Sequence, residues 1–483
     1  MTVGTRPEDS IDNQQWHAHV VRLATDTGSR LAGLMATDTG HGTRLTAITA
    51  DSDDQLLLTH TQLPVGQQQI VSLTPKIPAA SWYEREIHDR FGIVPTGHPR
   101  LDPLILPARD GSGSRSPSAH VSGEGVFLYP HGPVRSAATE AIEYDIETPG
   151  EDIPYPQIRV YYKHRGLEQR FEGLDLRDGA VLAERVEGIA GVAHAIGYAS
   201  AVESAAGTTI SDAARRVRVF YAELERVANH LDVVIRLCEA AALAVATTRF
   251  GWHKERVLRL ISGCCGSRFG RGVIVPGGVR SVPGIAPQRL RAEIADLIKD
   301  IGSDATDLMA TPSFLDRLRG TGVLSPELAR QHGALGPIGR ASAAVHDART
   351  TSELYADLAR FTPPRLDIGD AQSRLQIRWS EIEESSRLLL TAVDDLDRAG
   401  EEAPLITQVD PDLTGRGIGR VEAPQGELLY LVEIVDGHLV RCKPRTASFH
   451  NLPLFHAVFN TDILTDFPFI EASFGLSPAG VAM

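Results

Sequence analysis

Apolar positions near the start of the chain keep two periods. In "WHAHVVRLA", Trp16, Val20 and Leu23 recur at steps of four and three, which predicts one face of a helix. The next three apolar stretches, "RLTAITA", "DQLLLTHTQL" and "QQIVSLTPKIP", are rich in aliphatic and β-branched residues and predict strands. A short helix is predicted from Ser81, with Glu84 three residues on completing a capping box. Glycines and prolines in "FGIVPTGHPRLDPLILP" then predict an irregular, extended tail.

"ARDGSGSRSPSAHVSGEG", residues 108–125, has almost no large apolar side chains and reads as a linker between a domain over 1–107 and one over 126–483. Past it, "EAIEYDIE" and "PQIRVYYKHRG" alternate like strands. Helical spacing dominates from about Leu182 to Val257 and from Pro287 to Arg398. In "RVFYAELERVANHLDVVI", Val217, Phe220, Leu224, Val227, Leu231 and Val234 form one stripe. "GELLYLVEIVDGHLVRCKPR" predicts a hairpin turning at Asp436-Gly437. The expected fold class is α+β: a small N-terminal α/β domain joined to a mainly helical domain flanked by β-hairpins.

Composition narrows the functional classes. A chain of 483 residues with net charge −14 offers no basic footprint for nucleic acid. No run of about 18 apolar residues predicts a membrane span, and the polar start predicts no signal peptide. The expected location is therefore cytoplasmic. Cys238, Cys264, Cys265 and Cys442 form no C-x-x-C pair and are expected to be buried thiols. A free-standing hydrolase is disfavoured, because no G-x-S-x-G, H-E-x-x-H or reactive-cysteine context occurs.

"YEREIHDRFGIVPTGHPRL", residues 83–101, carries many charges but no nucleophile or metal set. It resembles the signature of the small hydrophilic subunit of respiratory complex I, through Glu84, Arg85, Glu86, Asp89, Phe91, Gly92, Ile93, Gly97, His98 and Pro99. Downstream, "HGPVR", "HRGLE", "AELERVANHL", "GSRF", "VPGGV", "GPIGRAS", "EAPQGEL" and "ASFHNL" resemble both the complex I quinone-site subunit and the large subunit of membrane-bound nickel–iron hydrogenases. The two patterns in one chain resemble the large subunit of formate hydrogenlyase and hydrogenase-4 complexes. The resemblance implies a nickel–iron-hydrogenase-large-subunit-like fold for the second domain.

Departures from those patterns carry the functional argument. The hydrogenase motif R-I-C-G-I-C-S-V-A-H becomes Arg185 to His194, and the terminal S-x-D-P-C-x-x-C becomes Ser473 to Gly480. Glu187, Ala190, Ser477 and Gly480 stand at the four cysteine places. A nickel–iron pair requires soft, deprotonated sulfur donors, and one hard carboxylate with one hydroxyl does not supply them. The expectation is that this chain binds no metal. In the complex I pattern the hairpin carries two histidines, the second facing the quinone. Arg135 and Thr139 stand at their places, Gly188 at that of the quinone-facing tyrosine, and Gly270 at that of a histidine neighbouring the terminal cluster.

What survives is a polar set. If helical, Glu187, Ala190 and His194 lie at i, i+3 and i+7, and Glu187 with His194 could relay a proton or form a satisfied polar pair at an interface. Glu223, Arg226 and His230 repeat that spacing on the next helix, where the general expectation is a solvated charge row and the resemblance implies a cavity-facing one. These five are the expected catalytic residues; His164, Arg165, Glu168, Arg185 and Arg268 are the expected cofactor-binding ones. The resemblance implies a large cytoplasmic subunit, peripheral on the inner face of the cell membrane. It would take part in electron transfer from a partner iron–sulfur subunit to an acceptor, a quinone by family. Implied partners are that small subunit, a ferredoxin-like subunit and antiporter-like membrane subunits. The alternative is a non-catalytic structural or assembly subunit of such a complex.

Overall fold

The computed structural model of the chain describes residues 9–105, 121, 123–135, 140–356, 358, 361–399, 404–459 and 461–483. Most of the expected 108–125 linker, and Thr139, lie outside them. Helix α1, Asn13–Thr25, begins where the Asp12 carboxylate accepts the Gln14 N–H, and buries Trp16 and Val20 as its spacing requires. Strands β1 (Arg30–Asp38), β2 (Gly42–Ala50) and β3 (Leu56–Pro64) form an antiparallel sheet, with Asp9–Ser10 pairing parallel to β3 at its edge. Strand β1 has no clear alternation because both faces are covered, and the sequence pattern passed over it for that reason.

Helix α2, Ser81–Phe91, is present, but the capping box is not. Ser81 is already helical, and the Glu84 carboxylate instead accepts Ser72 Oγ, the Leu73 N–H and Thr74 Oγ1, each at 2.6 Å. Burial without water favours this choice: three donors satisfy a charge that one would not.

A second three-stranded sheet follows, from β4 (Phe127–His131), β5 (Glu143–Thr148) and β6 (Tyr155–Arg159). The helical portion is built on α3 (Gly191–Ala206), α4 (Asp212–Ala240), α5 (Ala244–Cys265), α6 (Pro287–Met309) and α7 (Ala371–Ala399). Helix α4 packs against both α5 and α7. Strands β7 (Gly415–Ala423), β8 (Gly426–Val435) and β9 (His438–Arg445) close the fold. The predicted turn is there: Asp436 and Gly437 both take positive φ, 48° and 73°, as a two-residue hairpin of primed type requires.

Helix α3 lies on β7. A Cβ at Gly417 or Gly419 would come within 2.0 Å of the carbonyl oxygens of Ala201 and Gly197, so only glycine permits this approach of helix to strand. The hydrophobic core does not respect the boundary read from composition. Trp16, Leu34, Trp82 and Tyr83 share one cluster with Tyr144, Phe449, Phe455 and Phe474. On the other face of the N-terminal sheet, Met35, Ile48 and Leu58 pack against Ile418, Leu429 and Leu431. Among the described residues no helix is long and apolar enough to cross a membrane.

Candidate functional site

Three polar clusters gather most of the residues singled out by sequence. The first forms where α3 begins. Ala190 caps this helix with no side-chain hydrogen bond, so its first N–H groups need a partner from elsewhere. Glu225 of α4 supplies it, accepting Val192 N at 2.7 Å and Ala193 N at 2.9 Å. Burial pushes the Glu225 carboxyl up to about 8, against the pull of those two N–H groups and with the charge of Glu187 adding to the rise.

Glu187 is not on the helix, contrary to the i, i+3, i+7 expectation; it sits in the turn before it. The turn nevertheless delivers its carboxylate to His194, with Oε2 3.2 Å from Nε2. The other imidazole nitrogen, Nδ1, lies 2.6 Å from the hydroxyl of Tyr430 on β8. Ser448 Oγ donates to Glu187 Oε1 at 3.4 Å, and Ser477 N donates to Ser448 Oγ at 3.1 Å.

The same carboxylate occupies the room beside Gly480, where a Cβ would lie 2.7 Å from Oε2. Ser477 Oγ bonds to Glu140 at 3.0 Å, and Ala479 N donates to the same carboxylate at 2.8 Å. Arg165 staples the two segments together, donating to Val186 O at 2.5 Å and Ala479 O at 2.8 Å. The four positions of interest thus hold one buried acid already paired, one methyl, one hydroxyl bound to a carboxylate, and one glycine whose side-chain room is filled.

Beside this cluster opens a cavity of about 700 Å³, lined by Tyr129, His131, Arg135, Glu140, Ile189 and Ser477 among others. Arg135 forms a two-pronged pair with Glu471, at 2.6 and 2.9 Å, and Tyr144 donates to the same carboxylate at 3.0 Å.

The second cluster lies on α4 and is fully buried, so the solvated-row expectation fails. Glu223 accepts Arg226 Nε at 3.0 Å and the hydroxyls of Tyr355 and Ser385, each at 2.6 Å. Arg226 also donates to Glu422 O and Ala423 O at the end of β7. His230 Nε2 meets Glu381 at 2.8 Å while Arg378 reaches its Nδ1 at 3.1 Å. Arg340 bridges Glu381, Glu422 and Asp347. Arg349 pairs with Asp347 at 2.7 Å and lies 3.6 Å from Glu223. Four guanidinium groups (Arg226, Arg340, Arg349, Arg378) therefore face four acids (Glu223, Asp347, Glu381, Glu422), all 3% exposed or less. Burial, with Asp347 beside it, pushes the Glu422 carboxyl up to about 7; burial lowers His230 to about 4.

Glu168 anchors a third cluster, with Arg90 at 2.6 Å, Lys443 at 2.7 Å and Arg441 at 2.5 Å. Burial pushes its carboxyl up, but Lys443, Arg441 and Arg90 outweigh that and hold it well below the ordinary range. His164 is half-buried at the rim of a neighbouring cavity, and burial lowers its pKa. Arg185 and Arg268 are at the surface, 46% exposed each in the side chain, the latter paired with Glu255 at 2.6 Å. The structure thus brings Arg165 to the turn that carries Glu187, pairs Glu187 with His194, groups Glu223 with Arg226 and His230, and leaves Arg185 and Arg268 outside these clusters.

Sequence reasoning did not single out Tyr430, Glu225, Ser448 or Glu140. Glu225 stands inside the quoted α4 stretch but off its repeating row, so only a search for a missing helix cap could have found it.

Known proteins share this arrangement of elements. Residues 242–412 match the family described as respiratory-chain NADH dehydrogenase, 49 Kd subunit, and residues 10–113 match the 30 Kd subunit family. Hydrogenase-4 component G of Escherichia coli (strain K12) is 27% identical over 84% of this chain and 74% of its own length. A chain of the NADH-quinone oxidoreductase of Dehalococcoides mccartyi is 31% identical over 63% of this chain and 84% of its own. Among solved structures, a chain of the membrane-bound sulfane sulfur reductase, an archaeal respiratory membrane complex, superposes with a TM-score of 0.67 at 24% identity, over 74% of this chain and 99% of that one; it shares the fold. The chain belongs to the family of the 49 kDa subunit of respiratory-chain NADH dehydrogenase, carried here on one polypeptide with a 30 kDa-subunit-like segment in front of it.

Proposed function

We propose that the chain is the large hydrophilic subunit of a membrane-associated respiratory oxidoreductase of the hydrogenase-4, formate hydrogenlyase and NADH:quinone oxidoreductase kind. In this reading residues 1–107 and 126–483 correspond to the two fused subunits. Electrons come from a partner iron–sulfur subunit, and the acceptor, a quinone, occupies the cavity of about 700 Å³ beside Glu140 and Ser477. A quinone that takes two electrons also takes two protons, and Glu187 with His194 is the nearby pair equipped to hand one on.

The observation that carries the proposal is the Glu187 carboxylate itself. It fills the room beside Gly480 and hydrogen-bonds His194, so the place where the hydrogenase pattern puts sulfur holds a proton-accepting group instead. The donors do not fit a nickel–iron pair.

The test is purification of the complex from membranes with wild-type, Glu187→Gln and His194→Ala chains. Quinone reduction is expected to fall by about a hundredfold or more in both variants with subunit composition unchanged. Unchanged turnover in normally assembled variants would remove the redox role. Stoichiometric nickel in the purified wild-type complex would contradict the reading of the site.

A second reading, a structural subunit, is favoured by the α4 cluster, where every carboxylate already has an arginine partner. It predicts that the purified complex reduces no quinone and that loss of this chain disperses the other subunits.

A further inference from the structure

Tyr430 is the inner end of the first cluster, and it stands in neither family's metal or quinone motif. Its ring meets His194 edge-on, with centroids 5.7 Å apart and planes at 87°, and meets Tyr198 in the same way at 6.1 Å. Gly197 makes room for it, since a Cβ there would come within 2.9 Å of Cδ2. Tyr430 and His194 are both fully buried. Among the described residues the phenol has no hydrogen-bond partner besides His194 Nδ1, at 2.6 Å.

That geometry allows one arrangement of protons. Burial, with Cys442, Glu187 and Tyr198 nearby, raises the phenol well above its ordinary pKa, so the hydroxyl keeps its hydrogen and donates it. Nδ1 must then accept. A neutral imidazole that accepts at Nδ1 carries its own hydrogen on Nε2, which faces Glu187 Oε2 at 3.2 Å. An imidazolium would need to donate from both nitrogens and would strand the phenolic hydrogen in a buried site.

We propose that Tyr430 is a positioning residue: it fixes His194 in the Nε2–H tautomer, so that the proton His194 holds points at Glu187. The inference rests on the proton-relay reading for its use in turnover, but its test does not depend on turnover.

The test is nitrogen NMR of the full-length chain labelled with ¹⁵N-histidine, with His194→Gln identifying the His194 signals. Wild type is expected to show a pyridine-like Nδ1 and a pyrrole-like Nε2. Tyr430→Phe keeps the ring and removes the donor, and the two resonances are expected to move toward a common average. A merely structural tyrosine would leave them where they are, and that result overturns the proposal. So does a protonated Nδ1 in wild type, a reading that stands even if the phenylalanine variant fails to fold. If the relay is wrong, Glu187→Gln leaves quinone reduction intact while these spectra still answer the tautomer question.

Discussion

Glu225 caps a helix from outside it, and its carboxyl must do so while buried beside Glu187. An ordinary glutamate ionises near 4.5, whereas this one does so near 8 in the folded chain. Between those values the unfolded chain releases a proton that the folded chain keeps, so the Glu225 contribution to stability declines as pH rises from about 4.5 to about 8 and is level above. Glu225→Gln is expected to remove this slope. Urea unfolding at three pH values across the window checks it: a wild-type minus variant difference that does not change with pH contradicts the assignment. At this scale legibility was uneven. Glu187 and His194 were visible because they stand in a recognisable pattern, seven positions apart. Tyr430 was not, because it reaches His194 across 236 residues of chain and no local spacing encodes that contact.

At the scale of elements, the close seat of α3 on β7 depends on glycines spaced two apart, Gly415, Gly417 and Gly419. Gly419→Ala would place a Cβ 2.0 Å from Gly197 O and 2.6 Å from Ala201 N, where backbone cannot yield as a flexible side chain would. The expected cost is about 1–3 kcal/mol or more, read from the denaturation midpoint; a neutral variant would show that the helix can lift. The helices and the Asp436-Gly437 hairpin were legible because period and turn chemistry are local signals. Strand β7 was not, since glycine is a poor strand former and marks a strand only once its neighbour is known. Strand β1 escaped for the opposite reason, being apolar on both faces.

At the scale of the molecule, the N-terminal sheet is tied to the C-terminal one by charge as well as by packing. Glu427, 2% exposed, accepts from Arg30 and Arg445, and pairs with Arg420 at 2.7 Å; Asp54 completes the set from the first unit. Glu427→Ala removes one acid from among three arginines and is expected to cost about 3–5 kcal/mol. Because the core cluster spans both units, the wild-type chain is expected to unfold in one transition. Far-ultraviolet circular dichroism and the fluorescence of Trp16, Trp82, Trp252 and Trp379 should trace the same curve, and two separated curves would contradict the shared core.

The four-by-four charge lattice around α4 also constrains how such a chain can vary over generations. Arg340 and Arg349 are each shared between acids, so a lone replacement leaves an odd charge buried away from water. Change in this region is expected to come as paired replacements, an acid together with its base.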